Sequence, residues 1–382
     1  MTHPAPDQAG SATTRGWPRP GTATLLPSKP LRSLQIGRGL AALFVVLFHL
    51  NNSVWGIAKY FPDPFSQALS FGNSGVHFFF VLSGFIIYLV HAEAAGVPGQ
   101  FLRFAFKRLV RVYPTYWVVL ASVVAALFLD PALGTRDQRD VSRIVASALL
   151  IPYPQEPIVS VAWTLEHELL FYAIFSISIL NARIGKLLFV LWQVGCLGNT
   201  LFGSAEFPYR VVFSANNLLF SLGIAMAFLF RKWRCPAPGS IAIGGALAFI
   251  AVGLHEVYAS APLPADAYIL AFGTSSAAAI LGACSYERQH GLRAPRLLDA
   301  LGDASYSIYL VHLPLLSLFA KALFASGLAA LLPQTMSLLV MLCGLVAAGL
   351  IFSKAVEMPL IAELGRVKRQ RTPPTPEIPA RK

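Results

Sequence analysis

Charge is scarce in this 382-residue sequence: 13% of its residues are Asp, Glu, Lys or Arg, against roughly 25% in an ordinary soluble domain. Acid is scarcer still, 18 residues against 30 Lys and Arg, which leaves a formal net charge of +12. With 55% hydrophobic residues, a soluble core of this length could not hide the apolar surface from water, so a soluble globular domain is excluded. Cysteine is sparse: Cys196, Cys235, Cys284 and Cys343 lie in or beside apolar stretches, and their spacing suggests neither a disulfide framework nor a metal site. Residues 1–30 carry no apolar run before a cleavage site, so no signal peptide is expected there. They read as a disordered cytoplasmic tail, as does the basic, Pro-rich stretch 361–382. No internal repeat of the kind that marks many transporters is visible.

What the sequence does have is long apolar runs. A span needs about 20 such residues to cross some 30 Å of hydrocarbon. Ten qualify: 33–51, 75–95, 112–130, 163–181, 187–203, 213–230, 240–256, 267–285, 303–324 and 335–356. The expected fold is therefore all-α, a polytopic transmembrane helical bundle of about ten spans within 31–360. A shorter apolar piece, 141–152, reads as a helix lying at the membrane face. The positive charge sits in short clusters between the spans, so membrane lipids are the expected surroundings and no nucleic-acid partner is expected. Arg103, Lys107, Arg108, Arg111, Arg183, Lys186, Arg231, Lys232, Arg234, Arg288, Arg293 and Arg296 fall in alternate loops. The other loops hold only Lys59, Arg136, Arg139, Arg143 and Arg210, with Lys321 near a span end. That bias predicts both termini in the cytoplasm.

Ionisable groups inside a span are costly and nominate a site. Arg38 and His49 share the first span, about 16 Å apart along the axis and on nearly the same side. The fourth span opens with Trp163-Thr164-Leu165-Glu166-His167-Glu168, in which Glu168 lies deepest; a carboxylate there must be paired or protonated. Arg108 and Arg111 are one helical turn apart near the inner face and can reach a single anion, and their planar forks suit phosphate. Lys107 and Arg103 read as topology-setting charge. Ser83-Gly84, inside an aromatic run, allows close helix approach. Ser305, Tyr309 and His312 fall near one face of a late helix, where His312-x-Pro314 reads as a kink with a packed histidine.

In this order the segments resemble the acyltransferase 3 family of integral membrane O-acyltransferases, from about Leu34 to Pro359. Arg38 and His49 fit the family's arginine–histidine signature, and Phe79-Phe80-Val81-Leu82-Ser83-Gly84-Phe85 its Phe-Phe-x-x-Ser-Gly-Phe motif. Arg108 and Arg111, followed by Pro114, fit its inner-face arginine pair. Trp163 through Glu168 to Phe171-Tyr172 fits a further block, and Ser305-Tyr306, Tyr309, His312-x-Pro314 and Glu357-x-Pro359 fit its two late blocks. Two positions depart. The acid common before the first arginine is replaced in Leu34-Gln35-Ile36-Gly37, and His77 stands where many members carry Asp or Glu. Leu34-Gln35 is similar to the bacterial exopolysaccharide acetyltransferase branch.

The resemblance implies acetyl-CoA or another acyl-CoA as co-substrate at the inner face of a bacterial plasma membrane, with no metal. It implies a hydroxyl of a glycan or lipid-linked glycan as acceptor; the oligomeric state is left open. On that basis His49 is the expected general base, or an acyl-carrying nucleophile. Glu168 is expected to orient it, Arg38 to serve the phosphates or the acyl carbonyl, and Arg108 and Arg111 to hold the phosphates; Tyr172 is a further motif residue. The rival classes are a proton-coupled transporter of a glycan precursor or small metabolite, and a non-catalytic partner in polysaccharide assembly.

Overall fold

The computed structural model describes residues 31–52, 65–203 and 205–371; the tail expected at 1–30 and the last residues of the C-terminal one lie outside them. Fifteen α-helices follow in order: α1 (Arg32–Asn52), α2 (Gly75–His91), α3 (Phe101–Leu129), α4 (Val141–Leu149), α5 (Trp163–Leu180), α6 (Ala182–Phe202), α7 (Tyr209–Val212), α8 (Leu218–Lys232), α9 (Pro238–Tyr258), α10 (Ala265–His290), α11 (Arg296–Asp303), α12 (Ser305–Ala325), α13 (Leu328–Leu331), α14 (Gln334–Phe352) and α15 (Met358–Arg371). No strand occurs among the described residues. α15 carries helix into 361–371, where a disordered tail was expected.

Nine stretches among the described residues are long and apolar enough to cross a membrane. They correspond to nine of the ten expected spans. The tenth, 163–181, forms α5, only about 27 Å of helix with two carboxylates and a histidine in its first turns. Glu166 and His167 are buried in protein, as Ala162 and Val161 are just before them.

α4 does not lie at the membrane face. The hydroxyls of Tyr113 and Tyr116 and the indole N–H of Trp117, all on α3, donate to the carbonyls of Leu149, Ser147 and Ala148, each at 2.8 Å. Tyr113 sits about 24 Å of helix back from Leu129, the C-terminal end of α3. α4 therefore dips into the bundle as a re-entrant helix, and Leu150, in the left-handed conformation, ends it. Carbonyls left open at that depth need protein donors, and α3 supplies them. α3 itself starts at Phe101 rather than 112, because the basic stretch continues the same helix through Pro114.

Close helix approach holds the centre together. A Cβ added at Gly84 of α2 would lie 2.1 Å from the Phe220 carbonyl oxygen of α8, and one at Gly223 would lie 2.0 Å from that of Val81. Small residues at this crossing let the two backbones touch, as the Ser83-Gly84 pair predicts. Around it Phe171 stacks on Phe220 at 4.4 Å, and Phe80 meets Trp163, His167 and Phe220 edge-on. α1 has no acid in its first turn. Glu287 of α10 fills that role, accepting from the backbone N–H groups of Arg32 and Ser33 at 2.8 Å. The Arg32 side chain donates to Asp299 of α11 and holds that carboxyl below its ordinary value.

Candidate active site

A cavity of about 280 Å³ opens among α1, α2, α3, α5 and α12. It gathers Arg38, Ser83, Arg108, Arg111, Glu168, Tyr172, Ser305 and Tyr309, eight of the ten residues singled out from the sequence; Lys107, Thr164 and Tyr306 join them. The other two, His49 and His312, lie beside the cavity, with the ring of His312 5.9 Å from that of Tyr309.

Each cation has a distinct situation. Arg111 pairs with Glu357 at 2.6 Å and lies over the Tyr306 ring. Glu357 is 2% exposed and also accepts from the hydroxyls of Ser307 (2.5 Å) and Ser353 (3.2 Å). It points inward from a π-helical turn, Ser353–Glu357, just before Pro359, which has no N–H to continue the α-helical ladder. Arg111 therefore spends part of its charge on a buried acid, and the expected matched arginine pair is unequal. Arg108 is the freer member: it forms no ion pair among the described residues and sits 5.8 Å from the Tyr172 and Phe104 rings. Its Nη2 reaches His91 Nε2 at 3.4 Å, and its buried Nε has no partner. Arg38 likewise forms no ion pair among the described residues, and its Nη1 donates to Gln35 Oε1 at 3.2 Å. An unpartnered buried N–H on a guanidinium without an ion-pair partner is the arrangement an anion completes.

Glu168 accepts from Ser83 Oγ at 3.0 Å and from the Tyr172 hydroxyl. These bonds correct the expectation that it orients His49. The turn of α2 carrying Ser83 faces α5, and Glu168 is satisfied there. The partner of His49 is His312, whose Nε2 lies 3.2 Å from His49 Nδ1, and the latter is also 2.9 Å from the Val45 carbonyl. His312 is fully buried, as a packed histidine should be, but its ring is not isolated. At the mouth of this pair the Tyr309 hydroxyl is 3.0 Å from both the Val161 carbonyl oxygen and Thr164 Oγ1.

Other expectations fall outside the site. His167 bonds Asn217 at 2.9 Å, and Asn217 donates to the carbonyls of Val211 and Val212, which ties α5 to the turn before α8. His77 stacks on Phe272. The pairing of Glu357 with Arg111 was not foreseen from the sequence, although a lone acid closing the last apolar run was a usable signal. Lys107, expected only to set topology, lines the cavity.

An all-helical membrane bundle with a basic, polar cavity buried among its spans defines an integral membrane protein with an internal reaction chamber or binding chamber. Comparison settles the class: residues 31–354 match the family described as an acyltransferase domain, and the chain belongs to this acyltransferase 3 family and is a membrane acyltransferase. It is 30% identical over 318 residues to the exopolysaccharide production protein ExoZ of Rhizobium meliloti (strain 1021), covering 78% of this chain and 92% of that one. It is 25% identical to the acyltransferase MdmB of Streptomyces mycarofaciens, covering 91% of this chain and 95% of that one. No solved structure matches the chain.

Proposed function

We propose that this acyltransferase moves an acetyl group from acetyl-CoA, taken up at the cytoplasmic face, to a hydroxyl of a glycan or lipid-linked glycan. The observation that carries the reading is the position of two cations, Arg38 and Arg108, that form no ion pair among the described residues and line one cavity with Tyr309, whose ring lies 5.9 Å from that of His312, the partner of His49. A CoA thioester combines several phosphates with a long neutral arm. Phosphates at Arg108 and Arg38 leave the arm to lie along the cavity between Ser83, Tyr172 and Tyr309. Arg38 belongs to the phosphate end: about 16 Å along α1 separates it from His49, whereas a donor to the developing oxyanion must come within about 3 Å of it. Glu168, held by Ser83 and Tyr172, balances the arginines and fixes the Tyr172 hydroxyl at the cavity wall.

A sugar hydroxyl is a poor nucleophile at neutral pH. His49 takes its proton as the oxygen attacks the thioester carbonyl carbon; the carbon–sulfur bond then breaks, and the departing thiolate takes the proton back from the imidazolium. The similarity to a protein named for exopolysaccharide production supports a polysaccharide acceptor. The orientation with both termini in the cytoplasm is supported by the loop charges, and a bacterial inner membrane by the bacterial relatives; both belong to the same reading.

The test is transfer of label from radioactive acetyl-CoA to polysaccharide stripped from the same cells. Wild-type membranes are expected to acetylate it and His49→Ala membranes, with equal protein content, to lose the activity. A His49→Ala enzyme with wild-type turnover would remove the proposed base.

A further inference from the structure

Two histidines from distant parts of the chain meet beside the cavity, and the atoms around them fix which nitrogens carry protons. His312 Nδ1 lies 2.7 Å from the Tyr309 carbonyl and 3.2 Å from that of Ile308. Carbonyl oxygens only accept, so Nδ1 of His312 carries the hydrogen. In the neutral ring Nε2 is then a lone pair, and it faces His49 Nδ1 at 3.2 Å. His49 Nδ1 in turn has the Val45 carbonyl at 2.9 Å, so its two neighbours are both acceptors and it too must carry a hydrogen. The lone pair of His49 is left on Nε2. The one His49 Nδ1–H is shared between the Val45 carbonyl and His312 Nε2, and His312 Nδ1–H donates to the backbone of α12.

We infer that His312 is a positioning residue for acyl transfer: together with the Val45 carbonyl its Nε2 holds His49 in place as the Nδ1–H tautomer, and it stabilises the imidazolium that forms when His49 Nε2 takes the acceptor's proton. This rests on the reading of His49 as the base. Each transfer leaves the pair as it began. The hydroxyl proton moves to His49 Nε2 as the new carbon–oxygen bond forms, and it passes to the thiolate as the carbon–sulfur bond breaks. His312 stays neutral throughout and its hydrogen bond to His49 tightens while His49 is charged. It thus fills the place that a carboxylate takes behind the histidine of hydrolases. A neutral partner suits this site because His312 is fully buried, where an acid would need a cation of its own. Its neighbours one turn away on α12, Ile308 and Leu316, are each 0% exposed and keep the ring in one place.

The experiment uses full-length protein in native membranes, with radioactive acetyl-CoA as donor and polysaccharide stripped from the same cells as acceptor. Glutamine at 312 keeps a strong acceptor atom, and methionine keeps the length with only a weak thioether acceptor. His312→Met is expected to lower kcat by about 10²-fold with KM for acetyl-CoA unchanged, and His312→Gln to recover most of that loss. Equal impairment in both variants, or wild-type kcat in His312→Met, would overturn the inference. Should the methionine variant not fold, nitrogen-15 NMR of labelled wild-type protein decides: both rings are expected as Nδ1–H tautomers, and an Nε2–H tautomer at either would sink it. Full activity in His49→Ala would instead remove the underlying base assignment.

Discussion

At the residue scale the site separates charges that complete one another from charges that wait for a ligand. Arg108 belongs to the second kind, with a buried Nε lacking a partner and no acid within ion-pair distance among the described residues. Charge-assisted hydrogen bonds of this sort contribute about 1.5–3 kcal/mol. Arg108→Ala is therefore expected to raise KM for acetyl-CoA by roughly 10- to 100-fold, with KM for the polysaccharide unchanged; a shift in acceptor dependence instead would misplace the phosphate site. Arg111 and Glu357 belong to the first kind. Glu357→Ala leaves two buried serine hydroxyls and a half-buried guanidinium without their acceptor, at a cost of about 2 kcal/mol or more. Its melting temperature in detergent is expected to fall by several degrees, and Glu357→Gln, which still accepts from the serines, to fall less. An unchanged melting temperature in the alanine variant would mean that the pair is not formed.

At the element scale the helices were readable where apolar length alone decides. Nine of the ten expected spans correspond to long apolar stretches, and the Ser83-Gly84 crossing lies where the aromatic run placed it. What failed depended on partners distant in the sequence. The carbonyls that pull α4 into the bundle are satisfied from α3, a helix whose Tyr113, Tyr116 and Trp117 carry no sign of that duty in their own neighbourhood. Arg38, Arg108, Glu168 and Tyr309 were legible because a charge or a hydroxyl in lipid needs a reason to be there. Their pairings were not, since one-dimensional spacing cannot say that Ser83 meets Glu168 or that His312 meets His49. The α2–α8 crossing offers a direct check. Gly84→Ala forces a methyl to 2.1 Å from a backbone oxygen and is expected to destabilise the protein by about 1–3 kcal/mol. Gly198→Ala, with nothing within 4 Å of the added carbon, serves as the control and is expected to melt like wild type. Equal melting of the two variants would show that the helices do not approach as described.

At the scale of the whole molecule the bundle is polarised. Its cavity is rich in cations where α3 enters from the basic loop, and its paired histidines lie toward the opposite end of α1. On the proposed reading a donor carrying phosphates is drawn to one end and an acceptor hydroxyl is activated at the other, which would have the enzyme work across the membrane. Sidedness of donor use in sealed vesicles tests this most directly. Inside-out vesicles from cells making the polysaccharide are expected to consume added radioactive acetyl-CoA and label glycan at their lumenal face, while right-side-out vesicles leave the donor untouched. Labelling by intact right-side-out vesicles would contradict an enzyme that takes its donor through the arginine-lined end.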